Sequence, residues 1–199
     1  MEILIIQGSL GNPSRTAALA ELSARTLARE GHRVRLFDLR VHDLPWAVPY
    51  GEEESWSRSS PSLRELIRAA AAADAFVWAS PVYHNSYSGV LKCALDHLTE
   101  REFRDKPVAL CGDGGRRGSE QPLEHLRTVA RSLHACATSV VVASRADDFT
   151  LKDGQYVVTN QEITVRVGEM CRQLAAFAEL LRGSAGAVLR SAQRAEELA

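Results

Sequence analysis

The sequence predicts an α/β domain, a parallel sheet covered by helices on both faces. Three observations carry this. Strand-like and helix-like segments alternate from the first residues onward. Several strand segments are continuous apolar runs rather than alternating ones, as expected of strands buried on both sides. No internal repeat or linker splits the 199 residues, a length that suits one domain.

The elements follow in order. Glu2–Gln7 is a short apolar run that stops at Gly8, a buried first strand. Ser14–Glu30 places Ala17, Leu19, Ala20, Leu22, Leu27 and Ala28 at helical spacing, with Gly31 closing it. Arg33–Asp38 alternates and reads as a second strand with one polar face. Residues Arg40–Ser60 hold Pro45, Pro49, Trp46, Tyr50, Trp56 and the acidic run Glu52–Glu54, and read as a long loop. Ser62–Ala73 is a helix started by Pro61, and Ala75–Ser80 a third strand. A polar, aromatic loop, Pro81–Ser88, leads into a helix over Ser88–Leu98. Pro107–Gly112 is the fourth strand, followed by a glycine-rich loop and a helix over Gln121–His134. Thr138–Ala143 is the fifth strand, Ser144–Thr159 a loop, and Asn160–Leu181 a final helix. Gly183 and Gly186 then loosen the chain, so we expect a domain over residues 1–183 and a tail over 184–199, helical or disordered. Five strands joined by helical crossovers fit the doubly wound order 2-1-3-4-5, a three-layer α/β/α arrangement.

Composition narrows the class. With 24 Lys and Arg against 25 Asp and Glu, no net charge recruits nucleic acid or an anionic membrane. Cys93, Cys111, Cys136 and Cys171 show neither a Cys-x-x-Cys pair nor zinc-finger spacing, and read as buried, reduced thiols. No segment has the charged start and apolar core of a signal peptide, and no apolar run reaches the length of a membrane span. The expected compartment is the cytoplasm.

For the order 2-1-3-4-5 the ligand crevice lies where the first, third and fourth strands end. Three unusual loops follow those strands. The first, Gly8–Thr16, carries Ser9, Ser14, Arg15 and Thr16 at a helix start, where free N–H groups and the helix dipole favour an anion. It is neither Gly-x-Gly-x-x-Gly nor a P-loop, and suits a single phosphate monoester. The same residues would also make an ordinary helix start capped by Ser14. The second, Ser80–Gly89, offers Tyr83 and Tyr87 as flat surface and His84, Asn85 and Ser86 as hydrogen-bonding groups beside Pro81 and Val82. His84 is read as a neighbour of a bound ring rather than a general acid. The third, Cys111–Ser119, has Gly112, Gly114 and Gly115 where backbone can approach a ligand, or serves as a plain connector. Arg116 and Arg117 there either attract a phosphate or face water.

These motifs resemble those of the NADPH-dependent FMN reductases, which have a flavodoxin-like fold. Gly8-Ser9 with Pro13-Ser14-Arg15-Thr16, the run Ser80 to Lys92, and Gly112 with Gly114-Gly115 carry the resemblance. Within the family, Pro13-Ser14-Arg15 and Pro81-Val82-Tyr83 look most like reductases that feed a partner monooxygenase. The resemblance implies that Ser9, Ser14, Arg15 and Thr16 hold the FMN phosphate. It implies that Pro81, Val82, Tyr83, His84, Asn85 and Ser86 line the isoalloxazine, with Gly112, Gly114 and Gly115 across from them. The chain departs at Gly11, where many relatives carry an arginine, which removes one phosphate contact.

The implied reaction is hydride transfer from NADPH or NADH to FMN, then electron transfer to free flavin, a quinone, an azo dye or a partner monooxygenase. No side chain is needed as nucleophile, and none is named as catalytic. The alternative is a flavodoxin-like electron carrier that does not oxidise nicotinamide itself. Aromatic residues in Arg40–Ser60, with the habit of the family, imply a homodimer or homotetramer; the alternative is that the segment packs on its own domain.

Overall fold

A computed structural model describes residues 1–47, 60–115 and 120–196, with side chains through residue 183. Tyr50, Trp56, Glu52–Glu54, Arg116 and Arg117, on which some expectations rest, lie outside the described residues.

Five strands form one parallel sheet: β1 (Glu2–Gln7), β2 (Arg33–Asp38), β3 (Ala75–Pro81), β4 (Pro107–Asp113) and β5 (Cys136–Ser144). Their order is β2-β1-β3-β4-β5, the expected doubly wound arrangement. The central strands β3 and β4 are buried along their whole length, which is why their sequences are continuous apolar runs. The edge strand β2 is buried only at Phe37 and reads as alternating.

Helices cover both faces. On one face lie α1 (Arg15–Arg29) and α6 (Gln161–Glu196). Leu19 and Leu27 of α1, with Val167, Met170 and Leu174 of α6, pack there on Ile3, Ile5, Val77 and Val142. The other face carries α2 (Pro61–Ala72), α3 (Gly89–Asp96), α4 (Glu100–Phe103) and α5 (Gln121–Ser132). Leu66, Leu91, Leu95, Phe103, Leu123 and Leu126 cover Leu4, Ile6, Phe76 and Trp78 on that side. Each strand alternates its side chains between the two layers, so one six-residue run, β1, serves both cores.

Local signals explain the helix starts. Ser14, Ser60 and Ser88 cap α1, α2 and α3 by accepting from Ala17, Leu63 and Leu91 amides. Pro61 stands at the first position of α2.

The structure departs from the sequence expectation in three places. The stretch Ser144–Thr159 is not a loop. After a 3-10 turn (Ala146–Asp148) it forms an antiparallel hairpin of β6 (Phe149–Lys152) and β7 (Gln155–Val158). Asp153 and Gly154 turn it with φ of 49° and 76°, the left-handed pair that a two-residue hairpin needs. Asp148 closes the base: its carboxylate accepts from Asn160 Nδ2 at 2.7 Å and the Arg145 amide at 2.8 Å. The short helix α4 was absent from the sequence reading, although Thr99 and Glu102 form a capping box at its start. Finally, the last helix does not stop at Leu181: α6 continues to Glu196 through Gly183 and Gly186, the helical of the two forms expected of the tail. An isolated glycine weakens a helix by about 1 kcal/mol relative to Ala without ending it.

The cysteine expectation holds for two of the four. Cys111 and Cys171 are buried; Cys93 and Cys136 are half-buried. All four are free thiols. No helix among the described residues is long and apolar enough to cross a membrane.

Candidate functional site

The carboxyl ends of β1, β3 and β4 open onto one cleft of about 240 Å³. The loop after β1 forms its first wall. Gln7 is fully buried at the strand end, where its Oε1 accepts from the Ser9 amide and its Nε2 donates to Ser9 O at 3.0 Å. This holds Ser9 in place. Ser9 Oγ accepts from the Gly11 amide at 3.2 Å, and Ser14 caps α1. Gly8 is required by packing: a Cβ there would lie 2.7 Å from Leu91 Cβ and 2.9 Å from Ser88 Oγ.

The first-turn amides of α1, at Arg15 and Thr16, have no helical acceptor and face this wall with the positive end of the dipole. Ser9, Pro13, Ser14, Arg15 and Thr16 all line the cleft.

The second wall comes from β3. Pro81, Val82 and Tyr83 line it. Tyr83 and Ser86 exchange backbone hydrogen bonds of 2.8 and 3.0 Å. His84 and Asn85 between them have φ of 51° and 60°. They make a tight turn of the I′ type, in which Asn is favoured. That turn leaves Tyr83 half exposed at the mouth. His84, Asn85 and Ser86 do not line the cleft; Ser86 Oγ instead lies 3.2 Å from His125 Nδ1 on α5.

The third wall is Asp113, Gly114 and Gly115. Gly115 has φ of 61°, so a side chain there would be strained. Gly112 is not part of the wall. It is buried within β4, where a Cβ would meet Ser80 O at 2.8 Å, so its missing side chain lets β3 and β4 pack.

Three lining residues, Pro13, Asp113 and Tyr156, are not among the site residues expected from the sequence. Asp113 is buried and accepts from Arg15 Nε through Oδ2 at 2.9 Å. Its Oδ1 is buried with no hydrogen-bond partner among the described residues. Burial pushes its carboxyl above the usual carboxylate range, against the pull of the Arg15 guanidinium. Tyr156, on β7, reaches the cleft from the hairpin, and the Arg15 guanidinium lies 5.3 Å from its ring centre. Asp153-Gly154 between apolar-alternating flanks was the sequence signal for that hairpin. Among the described residues no group of His, Cys, Asp and Glu could hold a metal ion.

The residues present fit FMN. First-turn amides of α1, the hydroxyls of Ser9, Ser14 and Thr16 and the Arg15 guanidinium suit a phosphate; Tyr83 and the Gly114–Gly115 backbone, which line the same cleft, suit a flat ring.

Comparison with known proteins gives the family of the chain. The model of the NADPH-dependent FMN reductase family matches residues 1–148. An FMN-dependent NADPH-azoreductase of Staphylococcus saprophyticus is 38% identical over 181 residues, covering 89% of this chain and 95% of that one. The protein of the same name from Staphylococcus aureus is 35% identical over 178 residues, with the same coverage. Among solved structures, the flavoenzyme NAD(P)H:acceptor oxidoreductase of Paracoccus denitrificans superposes with a TM-score of 0.69 at 22% identity, covering 92% of this chain and 97% of that one. A flavodoxin of Streptococcus pneumoniae gives 0.57 at 15% identity, covering 88% and 97%. The last two show the flavodoxin-like fold, and the first three show more: the chain belongs to the NADPH-dependent FMN reductase family.

Proposed function

We propose that the cleft binds FMN and that the chain is an NADPH-dependent oxidoreductase that reduces this flavin and passes the electrons to a small acceptor. The observation that carries the reading is the meeting, in one cleft, of the Ser9–Thr16 wall with Pro81–Tyr83 and Gly114–Gly115. Ser9, Ser14, Arg15 and Thr16 would hold the phosphate, and Pro81, Val82 and Tyr83 one side of the ring, with Gly114 and Gly115 opposite. Bound FMN supplies the hydride-accepting ring. The protein's part is to orient it, with backbone N–H groups stabilising negative charge on its polar edge, and to leave one face open for the nicotinamide.

The relatives named as azoreductases favour an azo compound as acceptor, with quinones or free flavin as related small molecules. A partner monooxygenase is the larger acceptor that the Pro13-Ser14-Arg15 segment suggests. We place the chain in the cytoplasm, and take it as a homodimer or homotetramer. Trp46 and Val41, 79% and 75% exposed on the segment after β2, support association. A concentration-independent monomer mass by light scattering would remove that part of the reading.

The test is an anaerobic titration of the protein with FMN, followed by NADPH or NADH and then an azo dye, observed at the oxidised flavin band. Saturable binding, bleaching by NADPH and recovery on dye addition are expected. Binding without bleaching would make the chain an electron carrier. No binding would overturn the assignment of the cleft.

A further inference from the structure

Arg15 is held from two sides before any ligand arrives. Its Nε donates to Asp113 Oδ2 at 2.9 Å, and its guanidinium sits 5.3 Å from the Tyr156 ring centre. Among the described residues its two Nη groups make no hydrogen bond, so they are the donors left for an anion in the cleft. Asp113 lies against the same cleft, its side chain only 8% exposed and its Oδ1 unpaired among the described residues. Its negative charge is met by the Arg15 guanidinium and the Gly115 amide, with little water. A carboxylate so placed serves no phosphate: it cancels part of the cation's charge and repels a dianion.

We propose that Asp113 limits how tightly this cleft holds a phosphate-bearing flavin, by drawing on the positive charge that Arg15 would otherwise offer the phosphate. The inference rests on the FMN reading above. Its consequence is weaker retention of a phosphate-bearing flavin than the same cleft would show without this carboxylate. Gly11 acts in the same direction, since the loop before α1 supplies no second guanidinium. Tyr156 keeps Arg15 in the cleft from above, so the cation remains available when the phosphate arrives.

The experiment compares FMN with riboflavin, which lacks only the phosphate, by quenching of flavin fluorescence on binding to the flavin-free protein. Asp113→Asn keeps an oxygen for Arg15 Nε and removes the charge. The quantity read is the ratio of FMN to riboflavin affinity, in which changes to ring binding or to the fraction folded cancel. We expect Asp113→Asn to raise that ratio on the order of tenfold, by tighter FMN binding and faster FMN association, with riboflavin nearly unchanged. An unchanged or lowered ratio would overturn the proposal and make Asp113 a residue that only orients Arg15. Arg15→Gln separates the underlying reading: it should bring FMN down towards riboflavin. If Arg15→Gln leaves the ratio as it is, the phosphate lies elsewhere, and the assignment of the cleft's phosphate end fails independently of Asp113.

Discussion

At Asp113 the chain buries a carboxylate against the Arg15 guanidinium and the Gly115 amide, and this has a thermodynamic signature separate from ligand binding. Burial raises its pKa in the folded state, helped by Asp148 nearby and opposed by Arg15 and the Gly115 amide. The folded protein therefore binds this proton more tightly than the unfolded chain does. The group's stabilising contribution is complete below the ordinary carboxylate pKa and is lost as pH rises through the raised value. Asp113→Asn mimics the protonated form at every pH. Without ligand it should raise Tm at pH 7–8, and the gain should shrink to nothing towards pH 4. For a chain of this size each kcal/mol moves Tm by about 2–4 °C, so the trend is measurable by calorimetry. A Tm that falls at neutral pH and recovers in acid would mean the Arg15 attraction outweighs burial. Nothing in the sequence around Asp113 announces this pair, because its partner lies 98 residues away. Ser9, Ser14 and Thr16 were legible because a helix start after a buried strand fixes where they point.

At the scale of elements, glycines separate packing from turn chemistry. Gly112 lies in a central strand, 2.8 Å from Ser80 O once a Cβ is added, and neither backbone can retreat between paired neighbours. Gly112→Ala should cost about 1–3 kcal/mol by overpacking, read from denaturant unfolding, with the cleft displaced as well. Gly89 is the opposite case. It opens α3 with nothing within 4 Å of an added Cβ, so Gly89→Ala should stabilise by about 0.4–1 kcal/mol. If both substitutions act alike, the close β3–β4 approach at Gly112 is not what selects glycine there. The same contrast shows what sequence could tell. The strands were legible because burial on both faces leaves continuous apolar runs, and the capped helices because Ser14, Pro61 and Ser88 sit at their starts. The β6–β7 hairpin was missed because its strands have four residues each and much of their surface is polar; only Asp153-Gly154 marked it. Missing the hairpin meant missing Tyr156, since that residue reaches the cleft only when the chain folds back over α1.

For the whole molecule, the two buried thiols report how the cleft is coupled to the fold. Cys111 sits in β4 two residues before Asp113, and Cys171 packs from α6 onto the same core layer. Both are fully buried, and burial pushes both up to about 12. At pH 8 only about one in ten thousand of such thiols is thiolate, so a thiol reagent reaches them through opening of the fold and not in the native state. Cys93 and Cys136 are half-buried and should react first. A ligand that binds only the folded cleft lowers the open population by a factor of 1 + [L]/Kd. At one hundred times Kd, FMN should therefore slow the two late thiols about a hundredfold under conditions where opening is global, and leave the early two nearly unaffected. A smaller effect on Cys171 than on Cys111 would show that β4 and its loop open without α6. No effect on either, with FMN demonstrably bound, would mean the flavin binds a surface that survives the opening, which a cleft assembled from the ends of β1, β3 and β4 cannot do.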